Sequence, residues 1–175
     1  MKPHNKITGL LLILNLIVTT VSATEKLYDD EIKAGFVYNF IKIVKPVKSL
    51  TENYNLCIVG ESSIRNVLPE LNKQRVHGVD IKTIEVDLNS DISICDSLFL
   101  GQVANRKTLD KLLGYAENNS ILTMSDVALN GNLDVIFYIK QLQGKLRFDV
   151  SLILARQANF QLDANLLRLA HIVKQ

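Results

Sequence analysis

The stretch Asn55-Leu-Cys-Ile-Val-Gly-Glu-Ser-Ser63 decides the fold of this chain. Residues 56–59 form a compact apolar run of strand-forming character, and Gly60 ends it. Ser62 or Ser63 is suited to cap a helix that follows. A fully apolar strand with a glycine turn and a helix behind it is typical of a buried strand in a parallel sheet. The stretch therefore predicts an α/β fold.

Strand-like and helix-like segments alternate along the first two thirds of the chain. Further strands are predicted at residues 79–86, 95–100 and 120–124, and helices at residues 29–45, 64–71 and 107–117. The first helix begins at Asp29-Asp30-Glu31, where acids favour a helix amino terminus, and ends before Pro46. This alternation indicates a parallel sheet with right-handed crossovers.

The pattern changes in the last third. Residues 133–142 and 145–152 read as two strands separated by Gln143-Gly144, which is a β-hairpin signal. A short helical turn at 154–158 follows, and Asp163 is suited to cap a last helix that runs to Val173. We therefore expect a three-layer sandwich whose mostly parallel sheet ends in an antiparallel C-terminal hairpin.

The amino terminus has the form of a secretory signal peptide. Lys2 and Lys6 precede a largely apolar run from residue 7 to residue 21, and the small residues Ser22 and Ala23 follow. A membrane anchor is the alternative, but this run is shorter than the roughly 20 residues that span a bilayer. We expect cleavage after Ala23, export to the periplasm, and a single domain from residue 24 to residue 175, a length that supports one sizeable core.

The charge of the chain excludes one class of partner. The formal net charge is +2, and loss of residues 1–23 would remove two lysines and no acid, which leaves the remainder neutral. A neutral domain gives no electrostatic reason to expect nucleic-acid binding. Lys33, Lys42 and Lys45 of the first helix, with Lys48 after it, are either a surface for an anionic partner or, more commonly for such lysines, a solvated face.

The two cysteines of an exported chain are best interpreted as one disulfide, Cys57–Cys95. Both belong to predicted strands, so they can meet if those strands are neighbours. A loop of this length would stabilise the fold by ~4 kcal/mol in the chain-entropy model. Two buried free thiols remain the alternative. A redox-active pair is disfavoured because the sequence has no Cys-x-x-Cys.

Polar residues that follow the predicted strands are candidates for ligand or partner contact, because ligands of parallel sheets bind beyond the carboxyl ends of the strands. These candidates are Gly60, Glu61, Ser62, Gly101, Ser125 and Asp126. The alternative is that they serve only as turn and cap residues, which is the usual role of Gly, Ser and Asp there.

Sequence signatures of catalysis are absent. The chain has no Gly-x-Gly-x-x-Gly and no Walker loop. Gly60-Glu-Ser62 is similar to a nucleophile elbow, but Ile64 stands where the second glycine belongs. His77 and His171 have no second histidine or cysteine at ligand spacing, which disfavours a metal site. We expect no catalytic residues, no cofactor and no metal.

Several stretches together resemble the YfiR family of bacterial periplasmic regulators. They are Ile32-Lys-Ala-Gly-Phe-Val-Tyr-Asn-Phe-Ile-Lys42, Leu56-Cys-Ile-Val-Gly60, Cys95-Asp-Ser-Leu-Phe-Leu100, Leu122-Thr-Met-Ser-Asp126, Gly144-Lys-Leu-Arg-Phe-Asp-Val150, Ala155-Arg156 and Leu166-Leu-Arg-Leu-Ala170. Their order and spacing cover nearly all of residues 27–173. The chain departs from the family pattern in having Lys45 before its proline and Ser151 where asparagine is common.

The resemblance implies regulation and not catalysis. Proteins of this kind bind the periplasmic part of an inner-membrane signalling enzyme, typically a diguanylate cyclase, and repress it until a signal withdraws them, in some cases through an outer-membrane lipoprotein. In such a role the disulfide would stiffen the domain and could sense oxidation. The apolar face of the first helix is also compatible with a homodimer.

A small-molecule sensor is the competing class. Its pocket would lie at the strand ends or near Arg156, Arg168 and His171, whose cationic groups suit an anionic ligand. Arg168 and His171 are three residues apart, so they would share a face of the predicted last helix. Caps at the end of a helix are the simpler interpretation of these residues. A secreted hydrolase is a third class, for which the sequence offers no nucleophile–base pair.

Overall fold

The computed structural model describes residues 19–50, 52–129 and 134–175. The strands in these ranges are β1 (Asn53–Val59), β2 (Arg75–Val76), β3 (Val79–Glu85), β4 (Ser97–Leu100), β5 (Leu122–Ser125), β6 (Phe137–Leu142), β7 (Lys145–Ser151) and β8 (Ile172–Lys174). The helices are α1 (Thr19–Ile43), α2 (Arg106–Asn118), α3 (Leu152–Gln157) and α4 (Ala164–Leu169), with a 3₁₀ helix at Leu68–Lys73.

The strands form one sheet in the order β2-β3-β1-β4-β5-β6-β7-β8. Every pair from β3 to β6 is parallel, and β6 and β7 form the antiparallel hairpin. At the two edges, β2 pairs antiparallel with β3 and β8 pairs parallel with β7. The predicted α/β fold is therefore confirmed, with the addition of a short strand beyond the hairpin.

The side chains of β1 show why the sheet is buried on both faces. Leu56 and Ile58 lie in a core beside α1, whereas Cys57 and Val59 lie in a second core beside α2. All four side chains are buried. A run of apolar residues without polar alternation is what a strand covered on both faces requires. The helix layers on the two faces complete the three-layer sandwich.

Aromatic residues attach α1 to the hairpin. The ring of Phe40 stacks on Phe137 with centroids 4.2 Å apart, and it meets Phe148 edge-on at 5.0 Å. Such pairs contribute about 0.5–1.5 kcal/mol each beyond the burial of their area. Helix α1 begins at Thr19, well before the predicted start at Asp29, so the predicted cleavage site after Ala23 lies within it. Residues 1–18 of the predicted signal peptide lie outside the described ranges.

A disulfide joins Cys57 to Cys95, with Cα atoms 5.7 Å apart and a sequence separation of 38. Cys57 lies in β1, but Cys95 lies in a turn two residues before β4, so the prediction that both belong to strands was wrong for Cys95. Both side chains are within the core beside α2 and are at most 1 % exposed. The bridge therefore ties the loop before β4 to the middle of the sheet.

The C-terminal segment differs from its prediction. Helix α4 ends at Leu169, and the chain then turns extended to form β8 instead of continuing as a helix to Val173. The amide of His171 donates to the Phe148 carbonyl oxygen at 2.8 Å, which starts the pairing with β7. Arg168 and His171 therefore do not share a helix face. Pairing with β8 supplies hydrogen-bond partners for backbone groups at the edge of β7. The free energy gained there exceeds the local helix preference of the leucine spacing.

No helix among the described residues is long and apolar enough to cross a membrane.

Candidate functional site

The carboxyl ends of β1 and β4 meet where a doubly wound sheet ordinarily leaves a crevice for a ligand, because β3 and β4 lie on opposite sides of β1. In this chain the backbone closes that position. The amide of Gln102 donates to the Glu61 carbonyl oxygen at 2.6 Å, and the amide of Glu61 donates to the Gln102 carbonyl oxygen at 3.2 Å. The residues that follow the two parallel strands thus form an isolated antiparallel bridge, and their backbone occupies the space between the strand ends.

Two glycines make this closure possible. Gly60 has a φ of +79°, and a Cβ on it would lie 2.6 Å from the carbonyl oxygen of Gln102. A Cβ on Gly101 would lie 2.5 Å from the carbonyl oxygen of Glu61. Any side chain at either position must push the strand ends apart. Gly60 and Gly101 are therefore required for the close approach of the two backbones, in addition to ending their strands.

Polar side chains from α1, from the turn after β1 and from the residue after β5 form one hydrogen-bonded group at the same edge of the sheet. We call Asp30, Lys33, Ser62, Ser63 and Asp126 the edge cluster. Lys33 Nζ donates to Asp126 Oδ2 at 3.0 Å and to Ser63 Oγ at 3.1 Å. Ser62 Oγ donates to Asp126 Oδ1 at 2.7 Å, and Ser63 Oγ donates to Asp30 Oδ1 at 2.6 Å.

Asp126 is the buried centre of the edge cluster. Its side chain is 2 % exposed, and that of Lys33 is 18 % exposed. Both carboxylate oxygens of Asp126 accept hydrogen bonds, as a carboxylate withdrawn from water requires. The cluster therefore joins α1 to the carboxyl ends of β1 and β5. The sequence prediction that Lys33 lies on a solvated face was wrong, because its ammonium group is bound inside this cluster.

The edge cluster contains no histidine that could act as the base for a serine nucleophile. Both of its serine hydroxyl groups donate to carboxylates. The two histidines in the described ranges lie elsewhere, since His77 Nε2 is 2.7 Å from the Ile41 carbonyl oxygen and His171 pairs with Asp149. Across the described ranges, no group of three or more His, Cys, Asp and Glu side chains is placed to hold a metal ion.

Two strand-end candidates remain: Ser125 is buried and its Oγ donates to the Val127 carbonyl oxygen at 3.0 Å, whereas Glu61 is exposed and separate from the edge cluster. Its carboxylate pairs with Arg65 at 3.1 Å, and Arg65 also pairs with Glu85 at 2.8 Å. The hydrogen bond to Glu85 raises the pKa of the Arg65 guanidinium. Exposed pairs of this kind contribute little to stability. Glu61 is therefore available at the surface, whereas Ser62 and Asp126 are engaged inside the domain.

The three cationic candidates of the C-terminal region lie in three separate elements of the chain. Arg156 is exposed in the last turn of α3, and Arg168 lies exposed on α4, where its guanidinium donates to the Asn165 side chain. His171 lies outside both helices, and its Nδ1 is 3.2 Å from Asp149 Oδ1. An anion site formed by these three residues stays a prediction.

A second buried carboxylate, Asp149, lies in β7 beside a cavity. Its side chain is 8 % exposed and contacts Lys140 as well as His171. A cavity of about 490 Å³ adjoins it, with Tyr138, Ile172 and Lys174 among its lining residues. This cavity lies on the sheet face opposite α1, over the C-terminal strands. Its lining includes Asp149, the partner of the candidate His171.

Comparison with known proteins decides the family. A family model described as YfiR/HmsC-like matches residues 30–171 of the 175-residue chain. The chain belongs to the YfiR/HmsC-like family. Proteins of this family are periplasmic and act as regulators in diguanylate cyclase signalling, not as catalysts. A search of curated proteins found no match.

The YfiR/HmsC-like match contains both charged networks. It begins at Asp30, the first member of the edge cluster, and ends at His171, the partner of Asp149. Sequence reasoning missed Asp30, Lys33 and Asp149 as members of these networks. An available signal for Asp149 was its position between the apolar residues Phe148 and Val150, since an acid in a buried strand needs a partner. Lys33 gave no such signal, because it resembles any lysine on an amphipathic helix.

Proposed function

We propose that this YfiR/HmsC-like protein binds the periplasmic sensor part of an inner-membrane diguanylate cyclase and represses it. The family match over residues 30–171 carries the proposal. The closed crevice between β1 and β4 supports it, because the place where this kind of sheet ordinarily binds a small ligand is filled by backbone. Recognition then falls to the outer surface, which suits a protein partner.

The thermodynamics of repression require unequal affinities. A regulator shifts its receptor toward the inactive state only if it binds that state more tightly, and every 1.4 kcal/mol of difference corresponds to a factor of about ten. Release follows when a competing partner withdraws the regulator, and we propose an outer-membrane lipoprotein for that role. Residues 1–23 direct export and are removed after Ala23, and residues 24–175 form the single regulatory domain.

Among the strand-end candidates and the three C-terminal cations, the exposed residues suit the receptor surface. Glu61, Arg156, Arg168 and His171 are accessible, whereas Ser62 and Asp126 hold the domain together. We expect charge reversal at Arg156 or Arg168 to weaken receptor binding without a loss of folding. Reversal of Lys107, an exposed charge on α2, is the matched control.

The deciding experiment measures cyclic-di-GMP in cells with the gene deleted and then restored. Repression predicts a rise on deletion that the intact gene reverses. Co-purification of the exported protein with the periplasmic part of the cyclase tests direct contact. An unchanged cyclic-di-GMP level, in cells shown to express the protein, would remove the cyclase from consideration.

The cavity beside Asp149 favours a second candidate function, a small-molecule sensor that acts on another membrane receptor. Its volume of about 490 Å³ is within the range of ligand pockets, and it combines the apolar Ile172 with Tyr138, Lys140 and Lys174. A thermal-shift screen of anionic metabolites tests it. Stabilisation of the intact protein that Lys140→Met abolishes would support the sensor, and a screen without any shift would contradict it.

A further inference from the structure

The hairpin of β6 and β7 projects beyond the parallel part of the sheet. Strand β5 pairs with β6 only at Phe137 and Tyr138, whereas β6 and β7 stay paired as far as Leu142 and Lys145. The last four residues of β6 therefore extend past the carboxyl end of β5, a distance of about 13 Å in an extended chain. We call residues 139–148 the hairpin arm.

The two faces of the hairpin arm differ in their surroundings. Ile139 and Phe148 lie in the core beside α1. Because side chains alternate along a strand, Leu142, Lys145 and Arg147 lie on the opposite face of the arm. All three are exposed, so nothing in the described part of the chain covers this face near the turn.

The uncovered face of the hairpin arm carries a pair of like charges. Arg147 lies directly opposite Lys140 in the register of the hairpin. Like charges in such positions repel each other and weaken strand pairing. The nearby Asp149 carboxylate is already bound by Lys140 and by His171. Among the described residues neither Lys145 nor Arg147 has an ion-pair partner, so the arm presents cations that the domain does not neutralise.

Positive charge is concentrated in the C-terminal part of the chain. Residues 140–175 contain six lysines and arginines but only two acids, Asp149 and Asp163. This excess of positive charge belongs to a stretch, residues 24–175, whose charges balance as a whole. Since the distribution of charge is uneven, an anionic surface attracts one side of the domain although the net charge provides no attraction.

Aliphatic side chains accompany these cations. Leu142 at the turn is 39 % exposed, and Ile172 of β8 is 47 % exposed. Ile172 lies beside Asp149 in the register and therefore on the same face of the sheet, and Lys174 follows two residues later. Protein–protein interfaces are depleted in lysine. Aliphatic residues among lysines and arginines suit the surface of an anionic membrane, where apolar burial and electrostatic attraction act together.

We propose that this surface docks the domain on the anionic phospholipid headgroups of a membrane. We call it the cationic face, and it consists of Leu142, Lys145, Arg147, Ile172 and Lys174. The cations bind the lipid phosphates, while the two aliphatic side chains enter the boundary between headgroups and acyl chains. Helix α1 lies on the other face of the sheet and is held away from the membrane. The inference goes beyond the proposed repression and rests only on the periplasmic location of the family.

Flotation of the exported protein with extruded vesicles tests the proposal. We expect binding to vesicles of phosphatidylcholine and phosphatidylglycerol in equal parts, and much weaker binding to phosphatidylcholine alone. Lys145→Gln/Arg147→Gln should lower the partition coefficient about twentyfold, because each cation near an anionic surface contributes a factor of about five. Leu142→Asn should lower it severalfold through lost apolar burial. Raising NaCl from about 0.1 M to about 1 M should release the protein, since the Debye length falls from ~10 Å to ~3 Å.

Lys45→Gln/Lys48→Gln is the matched control. Both lysines are exposed and lie between the end of α1 and the start of β1. They are therefore near the amino ends of the parallel strands, at the opposite edge of the sheet from the turn of the hairpin arm. This variant loses the same charge and should bind vesicles as the unchanged protein does. An equal loss of binding by the two double variants would overturn the proposal, because net charge alone would then explain it.

The melting temperature separates lost binding from lost folding. Lys145→Gln/Arg147→Gln should not lower it, because the substitution relieves the repulsion between Arg147 and Lys140. A protein that does not bind phosphatidylglycerol vesicles, or that inorganic phosphate displaces from them completely, would overturn the proposal. Loss of cyclase contact by the same variant, without any vesicle binding by the unchanged protein, would assign the cationic face to an acidic receptor surface instead. Because vesicle binding needs no cyclase, its failure leaves the proposed repression standing.

Discussion

At the scale of single residues, the edge cluster makes Lys33 a stabilising residue in spite of its ordinary sequence context. Replacement of Lys33 by Met leaves the Asp126 carboxylate, 2 % exposed, without its cation. We expect a loss of about 3 kcal/mol in the free energy of unfolding, because an uncompensated buried charge is costly. Urea denaturation at pH 7 measures it. Lys107→Met, an exposed lysine on α2, is the matched control and should change stability by less than about 0.5 kcal/mol.

The double variant Lys33→Met/Asp126→Leu separates the ion pair from the packing of its two side chains. Removal of both charges should cost less than the sum of the two single changes, because no charge is left behind. Strict additivity would mean that the two side chains do not interact. Of this pair, the sequence predicted Asp126 as a strand-end residue but could not predict Lys33. Lys33 reaches Asp126 only because α1 packs against this edge of the sheet. That tertiary contact produces no pattern in the local sequence.

Tyr54, which is 2 % exposed, makes the folded state less stable at alkaline pH. Burial raises the pKa of its phenol, and the negative charge of Asp96 adds to the rise. Above about pH 10 the unfolded chain releases this proton while the folded chain keeps it, so stability falls as the pH rises, by about 1.4 kcal/mol per pH unit. Urea denaturation of the protein and of Tyr54→Phe between pH 8 and pH 11 should show a shallower fall for the variant. Parallel curves would contradict this assignment.

At the scale of elements, the buried disulfide behaves as part of the core. Both cysteine side chains are at most 1 % exposed, so a thiol reagent reaches the bridge only when the domain opens. We expect reduction of the native protein by dithiothreitol to be no faster than its unfolding. The double variant Cys57→Ala/Cys95→Ala should lose about 4 kcal/mol in the chain-entropy model for a 38-residue separation. Fast reduction in native buffer would instead favour a redox-sensing bridge.

The sequence predicted the parallel strands well because each is an apolar run bounded by turn residues, and burial on both faces demands that composition. The last element was predicted as helix to Val173 but ends at Leu169. The spacing of the leucines favours a helix locally, whereas the open edge of β7 favours a strand at residues 172–174. The strand forms, because pairing with β7 is a tertiary interaction that local spacing does not reveal. The same reason explains why Arg168 and His171, predicted on one helix face, belong to different elements.

At the scale of the whole molecule, the fold could be predicted from the sequence pattern, whereas the regulatory surface could not. Burial imposes apolar periodicity on the entire chain, so the sheet and its layers were predictable. A regulatory surface imposes no such pattern, because exposed residues such as Glu61 and Arg156 differ little from any solvated residue. The regulatory role was therefore reached through resemblance to a family, and the structure contributes the closed crevice and the edge cluster.

The whole domain should unfold as one cooperative unit. The core beside α1 runs from Val76 in β2 to Phe148 in β7 and includes Leu166 in α4, so no segment of the described sheet has a core of its own. The edge cluster and the disulfide add ties on the two faces. We expect a single calorimetric transition whose calorimetric and van't Hoff enthalpies agree. Two transitions would indicate that α1 or the C-terminal strands detach separately. One transition favours release of the receptor by withdrawal of a rigid body, because a tightly joined domain has no separate part to rearrange.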